Sequence, residues 1–221
     1  MMKPSTALSL GLVLASALAA GVFAADADKV APSPITSDGS LLNESFDGVA
    51  CPKGWSVVPS GGNRSDIAFK DGRCILNPGK GDNNITMPPL KADLEQDFVL
   101  EITFSIPEAT KGSYSLMSMA RESGEFQVSI VAVGDKLRVT MGKKGLPLGE
   151  IVPGKVYTVA LLFQPDGTCK GVLSGSGIDK PVVKSVTGID GVIHKTLIGN
   201  VFGAGTGSLW VEHVRAGKVA K

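Results

Sequence analysis

The sequence contains few of the residues that usually build nucleophilic or metal sites. Its 221 residues include three cysteines and two histidines. His194 and His213 are separated from one another and from every cysteine, without the spacing of a metal-ligand motif. No Gly-x-Ser-x-Gly motif accompanies them. We therefore predict neither a metal site built on these residues nor a serine-type catalytic centre.

The chain also lacks an excess of either charge. It has 22 basic and 21 acidic residues, and one of the bases, Lys3, belongs to an N-terminal leader. A neutral chain has no general electrostatic attraction for polyphosphate. Nucleic acid is therefore not expected as a partner.

Long apolar runs are confined to the N-terminus. Lys3 precedes a Leu- and Ala-rich run from Ala7 to Ala20, and small residues end the segment at Ala24. This order predicts a secretory signal peptide over residues 1–24, and the alternative is an uncleaved membrane anchor. No later run is long enough to cross a membrane as a helix. The mature chain is therefore expected to be secreted or periplasmic.

Helical periodicity is missing after the signal peptide, and a period of two replaces it. Residues 25–40 are polar and aperiodic, which predicts a disordered linker. Phe98 to Ile106 follow the period of two, and similar runs recur between glycine-containing turns. We predict an all-β, two-sheet antiparallel sandwich of about 13 strands over residues 41–217, with a C-terminal tail over residues 218–221.

The last predicted strand breaks the period of two. Leu209 and Val211 share one face, whereas Val214 and Ala216 fall on the opposite face. One extra residue at positions 212–213 would return all four side chains to the core. We therefore predict a β-bulge there.

Several segments, in their order and spacing, resemble one fold family. They are Phe46-Asp47-Gly48 with Trp55 soon after it, the strand Asp97–Ile102, the segment Gly154–Val159 before the turn at Asp166-Gly167, and the closing strand Leu209–Arg215. Together they resemble the concanavalin A-like lectin/glucanase jelly roll in its laminin-G-like bacterial versions. The resemblance covers residues 41–217 and implies one concave and one convex sheet, with glycans often bound on the concave side.

The resemblance also implies two expectations about chemistry. Hydrolase members carry paired carboxylates on one strand as E-x-D-x-x-E, whereas the strand around Glu101 has a single carboxylate. The hydrolase motif is therefore absent. Some members hold a structural calcium, and many carry an Asp pair in the closing strand where this chain has Glu212 and His213. We expect no cofactor, with a structural calcium as the open alternative.

Few aromatic residues are available to stack on a sugar, since they make up 5% of the chain. Tyr114, in a polar run, is the best candidate, and Arg121 would lie near it if the following strands form the concave sheet. Trp55 is a second candidate platform. Glu101 is a further candidate ligand residue, expected to be a solvated, outward-facing residue of the central strand. At each position the alternative is an ordinary structural residue.

The three cysteines allow one disulfide. Cys51 and Cys74 flank two short predicted strands and are the better pair in an oxidising compartment. Closing that loop would contribute roughly 3 kcal/mol. The alternative is three buried or reduced thiols, with Cys169 as a small strand residue.

The sequence as a whole favours an exported, non-catalytic binding domain whose ligand, by resemblance, is a carbohydrate. Two alternatives stay open. One is a glycan-active hydrolase or lyase with carboxylates from separate strands. The other is a structural or protein-interaction module of the cell envelope.

Overall fold

The computed structural model describes residues 35–58, 66–77, 83–90, 97–108, 113–121, 126–133, 138–141, 146–189, 193–200 and 208–219. These residues contain no α-helix, and hence no helix that could cross a membrane. The predicted signal peptide lies outside the described residues, as does the linker up to residue 34. The predicted linker and tail are therefore tested only where they meet the first and last strands.

Fifteen strands make up the described fold. They are β1 (Ile35–Glu44), β2 (Ser56–Val58), β3 (Ile67–Lys70), β4 (Arg73–Leu76), β5 (Asn83–Thr86), β6 (Phe98–Ser105), β7 (Ser113–Ala120), β8 (Phe126–Val133), β9 (Arg138–Met141), β10 (Leu146–Glu150), β11 (Val156–Phe163), β12 (Cys169–Gly175), β13 (Val182–Val186), β14 (Lys195–Asn200) and β15 (Leu209–Val219).

The strands form two antiparallel sheets that pack face to face. The eight-stranded sheet has the order β13-β12-β11-β6-β15-β4-β3, and β1 also pairs with β15. The seven-stranded sheet has the order β10-β9-β8-β7-β14-β5-β2. The predicted all-β, two-sheet sandwich is therefore confirmed.

The first and last strands are longer than predicted. β1 begins at Ile35, so residues 35–40 of the predicted linker belong to a strand. Its partner β15 continues to Val219, and Ile35 lies opposite Val219. Backbone hydrogen bonds at a sheet edge do not depend on apolar side chains. The polar side chains of residues 35–40 therefore did not prevent them from joining the sheet, and the prediction of a linker was wrong for these residues.

The core lies between the sheets, and β6 shows how the period of two creates it. Phe98, Leu100, Ile102 and Phe104 all point into the core and are nearly inaccessible to solvent. Neighbouring strands β11 and β15 pair along both edges of β6. Burying each of these side chains contributes roughly 1.5–3 kcal/mol. The predicted alternation is confirmed.

The predicted bulge is present in β15. Val211 lies opposite Phe104, and His213 lies opposite the next residue of β6, Thr103, so Glu212 is the extra residue. The side chains on both sides of the bulge are fully buried in the core. Local irregularity thus keeps the whole strand in register with the core.

The bulge also marks the point where β15 changes its second partner. Residues 209–211 pair with β4, and residues 214–219 pair with β1. Glu212 Oε1 lies 3.3 Å from Arg73 Nη2 of β4, an ion-pair distance without hydrogen-bond geometry. His213 Nε2 lies 2.6 Å from Asn43 Oδ1 of β1. The two bulge residues therefore contact the two strands that share this edge.

The predicted disulfide is not formed, because Cys51 and Cys74 are free thiols in the structure. Cys74 projects from β4 into the core, while Cys51 is half-buried beside that core. Burial, and secondarily the nearby Cys51, raise the pKa of the Cys74 thiol. Burial also raises the pKa of Cys169 to about 12. Both core thiols are therefore neutral and unreactive in the folded protein.

Thiol titration with Ellman's reagent should separate the three cysteines. In the folded protein we expect Cys51 to react first, since it alone is not fully buried. Denaturation without reductant should then expose Cys74 and Cys169, giving three thiols in total. Finding a single thiol in the denatured, unreduced protein would instead establish a disulfide. Cys51→Ser should abolish the early reaction and leave the other two thiols.

Candidate functional site

Trp55, a predicted stacking platform, belongs to the core. Its side chain is 8% exposed. The indole packs edge-on against Phe46, with ring centroids 5.4 Å apart and an interplanar angle of 67°. A sugar ring requires an accessible aromatic face, so the structure removes Trp55 from the surface candidates.

Glu101 faces outward from the eight-stranded sheet, as predicted, but it is buried rather than solvated. The residue is 7% exposed. It lies opposite Arg215 of β15, with Arg215 Nη1 at 3.8 Å from Glu101 Oε1. Removing one member of a buried ion pair leaves an uncompensated charge. This geometry suits a structural pair better than a ligand contact.

Tyr114 and Arg121 lie on the other sheet. Tyr114 is part of β7, and its side chain lies outside the described part of the structure. Arg121 directly follows β7 and is half-buried. The four predicted ligand residues are therefore distributed over the core and both sheets, and they do not converge on one site.

The structure brings a different set of hydroxyl side chains together on the outer face of the seven-stranded sheet. Ser118 lies opposite Ser129 on one side and Leu197 on the other. Leu197 in turn lies opposite Thr86, which lies opposite Ser56. We call Ser129, Ser118, Thr86 and Ser56 the hydroxyl row.

Burial identifies the face on which the hydroxyl row lies. Leu197 is buried but does not join the core cluster, whereas its neighbour Ile198 does. Thr196 borders the space between the sheets. Since side chains alternate along a strand, Leu197 and its cross-strand neighbours point away from the core.

Two members of the hydroxyl row have unused hydrogen-bonding capacity. Ser118 is 0% exposed, and its Oγ has no hydrogen-bond partner among the described residues. The Oγ1 atom of Thr86 is likewise buried and unpartnered there. A buried polar group without a partner costs about 1–3 kcal/mol. Such groups call for a specific explanation, and a ligand is one.

The same sheet carries almost no acidic side chain. Among its seven strands, only Glu150 at the end of β10 is acidic. Glu150 lies opposite Arg138 at the far edge from the hydroxyl row. Glycoside hydrolysis by the usual mechanism requires two carboxylates flanking the bond. The described strands of this sheet do not provide them, and the described residues contain no cluster suited to a metal ion.

A second polar group occupies the outer face of the eight-stranded sheet. The guanidinium of Arg73 lies over the Trp210 ring, 5.1 Å from its centroid, and also neighbours Glu212. Burial, and next the charge of Arg215, lower the pKa of His213. Here the charged groups are engaged with one another, in contrast to the hydroxyl row.

A small pocket opens at one end of the core. It is lined by residues of both sheets and of the segments that join them, among them Phe98, Met119 and His194. The pocket has room for about one water molecule. It is too small for a sugar.

Solved structures with the same fold include several that resemble this chain over most of its length. A β-1,3-glucanase from Mycobacterium marinum has a TM-score of 0.55 at 11% identity, covering 82% of this chain and 100% of the glucanase. Alginate lyase A1-II′ has a TM-score of 0.54 at 9% identity, covering 74% of this chain and 94% of the lyase. Trypanosoma rangeli sialidase has a TM-score of 0.58 at 15% identity, covering 85% of this chain and 32% of the sialidase.

At these identities the likeness concerns the fold alone. It agrees with the jelly-roll sandwich that the resemblance implied. No family model and no curated protein sequence matches the chain.

Proposed function

We propose that this protein is an exported, non-catalytic carbohydrate-binding domain whose ligand lies on the hydroxyl row. The observation that carries the proposal is the pair of unpartnered hydroxyls, Ser118 and Thr86, on a nearly carboxylate-free sheet. A hydroxyl both donates and accepts hydrogen bonds, as sugar hydroxyls do. The predicted signal peptide supports a secreted or periplasmic location for the domain.

The structural neighbours support carbohydrate as the ligand class. Their names denote a β-1,3-glucanase, an alginate lyase and a sialidase, all of which act on glycans. Shared fold alone is a weak argument for shared function. The local chemistry of the hydroxyl row therefore has to support the same ligand class independently.

The distribution of acidic residues favours binding over cleavage. A hydrolase with carboxylates from separate strands would need two acidic side chains facing one bound sugar. The strands around the hydroxyl row, β8, β7, β14, β5 and β2, contain no Asp or Glu. Glu101 and Glu212, the acidic residues at the centre of the other sheet, each have an arginine neighbour.

Because Ser118 is fully covered, a ligand reaches its hydroxyl only when the covering side chains move aside. Leu197 is its direct cross-strand neighbour. We therefore expect ligand binding to be accompanied by a rearrangement around Leu197, detectable as shifts of its methyl resonances in NMR spectra.

Replacing the two unpartnered hydroxyls should weaken glycan binding without destabilising the fold. In Ser118→Ala with Thr86→Val, two ligand hydrogen bonds are lost, each contributing about 0.5–1.5 kcal/mol. Affinity should fall roughly 10-fold to 100-fold. The free energy of unfolding should stay constant or rise by about 1 kcal/mol, because two unsatisfied groups disappear. A glycan array followed by calorimetry would measure affinity, and urea unfolding would measure stability.

Thr103→Val is the matched control. Its hydroxyl lies on the outer face of the eight-stranded sheet and shares a hydrogen bond of 3.0 Å with Thr158. This variant should lose about 1 kcal/mol of stability and keep its glycan affinity. Undiminished binding by the Ser118/Thr86 variant, or no glycan binding by the wild-type protein, would contradict the proposal.

A further inference from the structure

An apolar side chain interrupts the hydroxyl row at its centre. Leu197 of β14 lies opposite Ser118 of β7 on one side and opposite Thr86 of β5 on the other. Leu197 is buried, yet it does not join the core cluster. On the outer face, one apolar group therefore separates the two hydroxyls that have no hydrogen-bond partner among the described residues.

These three side chains define the ligand group that would complement them. A hydroxyl can donate or accept a hydrogen bond, so Ser118 and Thr86 together can pair with one acceptor and one donor. Leu197 between them favours an apolar contact, because a polar group held against it would lose hydrogen bonds to water. The complementary group therefore combines an acceptor, a donor and a small apolar part.

A secondary amide that carries a methyl group combines these three properties. In a trans amide the C=O and N–H point in opposite directions. Two hydrogen bonds of about 2.8 Å, with an amide of about 2.3 Å from oxygen to nitrogen between them, span roughly 8 Å. Side chains directly opposite one another have Cβ atoms about 4.5–5.5 Å apart, so those of Ser118 and Thr86 are roughly 9–11 Å apart. The two bonds from Cβ to the hydroxyl oxygens account for the difference.

From this arrangement we infer that the ligand is a sugar that carries an acetamido group. The inference rests on the proposed function and adds the chemical class of the sugar. One of the two hydroxyls, Ser118 or Thr86, donates a hydrogen bond to the acetamido C=O, and the other accepts one from the N–H. The acetyl methyl group packs against the Leu197 side chain, which rearranges as the ligand enters.

Sugars that differ only in this group test the inference. N-acetylglucosamine, N-acetylgalactosamine and N-acetylmannosamine have glucose, galactose and mannose as their counterparts with a hydroxyl in place of the acetamido group. Chitotriose, with its acetyl groups intact, and cellotriose extend the comparison to oligosaccharides. In calorimetry we expect the acetamido member of at least one pair to bind about threefold to tenfold more tightly, because it buries a methyl group and its amide pairs with both hydroxyls.

Variants of Leu197 test the apolar contact. Leu197→Ser should lower affinity for the acetamido probes by about threefold to tenfold and leave their hydroxyl counterparts nearly unaffected. Leu197→Met keeps an apolar side chain of similar volume and should retain the preference. Val172→Ser is the matched control, because Val172 is half-buried on the other sheet and packs outside the main core cluster. Urea unfolding would verify that each variant is folded.

Nuclear Overhauser effects in the wild-type protein provide a measurement that does not depend on how a variant folds. In the complex with the tightest acetamido probe, we expect cross-peaks between the acetyl methyl protons and the methyl groups of Leu197. The leucine resonances are assigned by their absence from the spectrum of Leu197→Met.

The outcomes distinguish the inference from the proposed function. Equal binding of the acetamido and hydroxyl probes, weakened by Ser118→Ala with Thr86→Val, would overturn the acetamido ligand and leave carbohydrate binding in place. A preference for acetamido probes that Leu197→Ser does not change, without cross-peaks to the Leu197 methyl groups, would also overturn the inference. Absence of binding to every glycan tested would overturn both.

Discussion

Substitution of Val214 by aspartate is expected to prevent cooperative folding of the domain, whereas deletion of Glu212 is expected to leave it folded. Val211 lies opposite Phe104 and His213 opposite Thr103, so removing the extra residue between them leaves the register on both sides unchanged and makes the alternation of β15 regular. Val214 and Ala216 would keep their places in the core. Val214→Asp instead places an unpaired charge at a fully buried core position, which is prohibitive, since the stability of a whole domain is only about 5–15 kcal/mol.

The substitution Glu212→Ala distinguishes the effect of the bulge in the backbone from the effect of the Glu212 side chain. It keeps the length of β15 and removes only the ion pair with Arg73, in which both side chains are partly exposed. An exposed ion pair contributes about 0–1 kcal/mol. Urea unfolding followed by tryptophan fluorescence should therefore show near-normal transitions for Glu212→Ala and for the deletion, and no cooperative transition for Val214→Asp. Loss of the cooperative transition in the deletion variant would contradict the assignment of Glu212 as the extra residue.

Substitution of Gly199 by alanine is expected to destabilise the domain by about 3 kcal/mol or more. Gly199 has φ of 107°, which side chains rarely adopt. A Cβ atom there would also lie 2.6 Å from the Asn83 carbonyl oxygen and 2.8 Å from Leu76 Cδ1. The carbonyl belongs to the partner strand β5, so relief would require the strand pair next to the hydroxyl row to separate.

Gly188→Ala measures how much stability is lost when a residue with a side chain has to adopt a positive φ, without any steric overlap. Gly188 also has a positive φ, 81°, but a Cβ atom there would meet nothing within 4 Å. The free energy of unfolding of this variant should fall only by the cost of the positive φ, about 1–2 kcal/mol. The difference between the two unfolding free energies then reports the steric overlap at Gly199. If both variants lost the same stability, the close approach of β5 and β14 would not explain the destabilisation caused by Gly199→Ala.

Much of the fold could be predicted because it depends on the period of two and on departures from it. The alternation in β6 identified the central strand, and the parity change between Val211 and Val214 located the bulge. Both features are local, so the sequence within about ten residues contains them. The start of β1 was missed because its pairing with β15 involves residues at the opposite end of the chain.

The candidate site depends on information that local patterns do not contain. Alternation correctly placed Glu101 on an outer face, but it could not show that this face is covered at that point. Ser118 follows the same rule, since a serine between Met117 and Met119 resembles any solvated strand residue. The row it forms with Thr86 arises only from pairing across β14, which brings together distant segments. The sequence offers one signal that could have suggested the hydroxyl row: serine and threonine occupy outward-facing positions on several predicted strands.

The pairing of Ile35 with Val219 has a practical consequence for experiments on this domain. The outermost described residues at both ends of the chain leave the fold at one corner of the eight-stranded sheet, and packed sheets lie about 10 Å apart. A biosensor chip or fluorescent label attached next to Ile35 or Val219 would therefore be joined to the eight-stranded sheet. The outer face of the seven-stranded sheet would then remain free to bind a polysaccharide in solution.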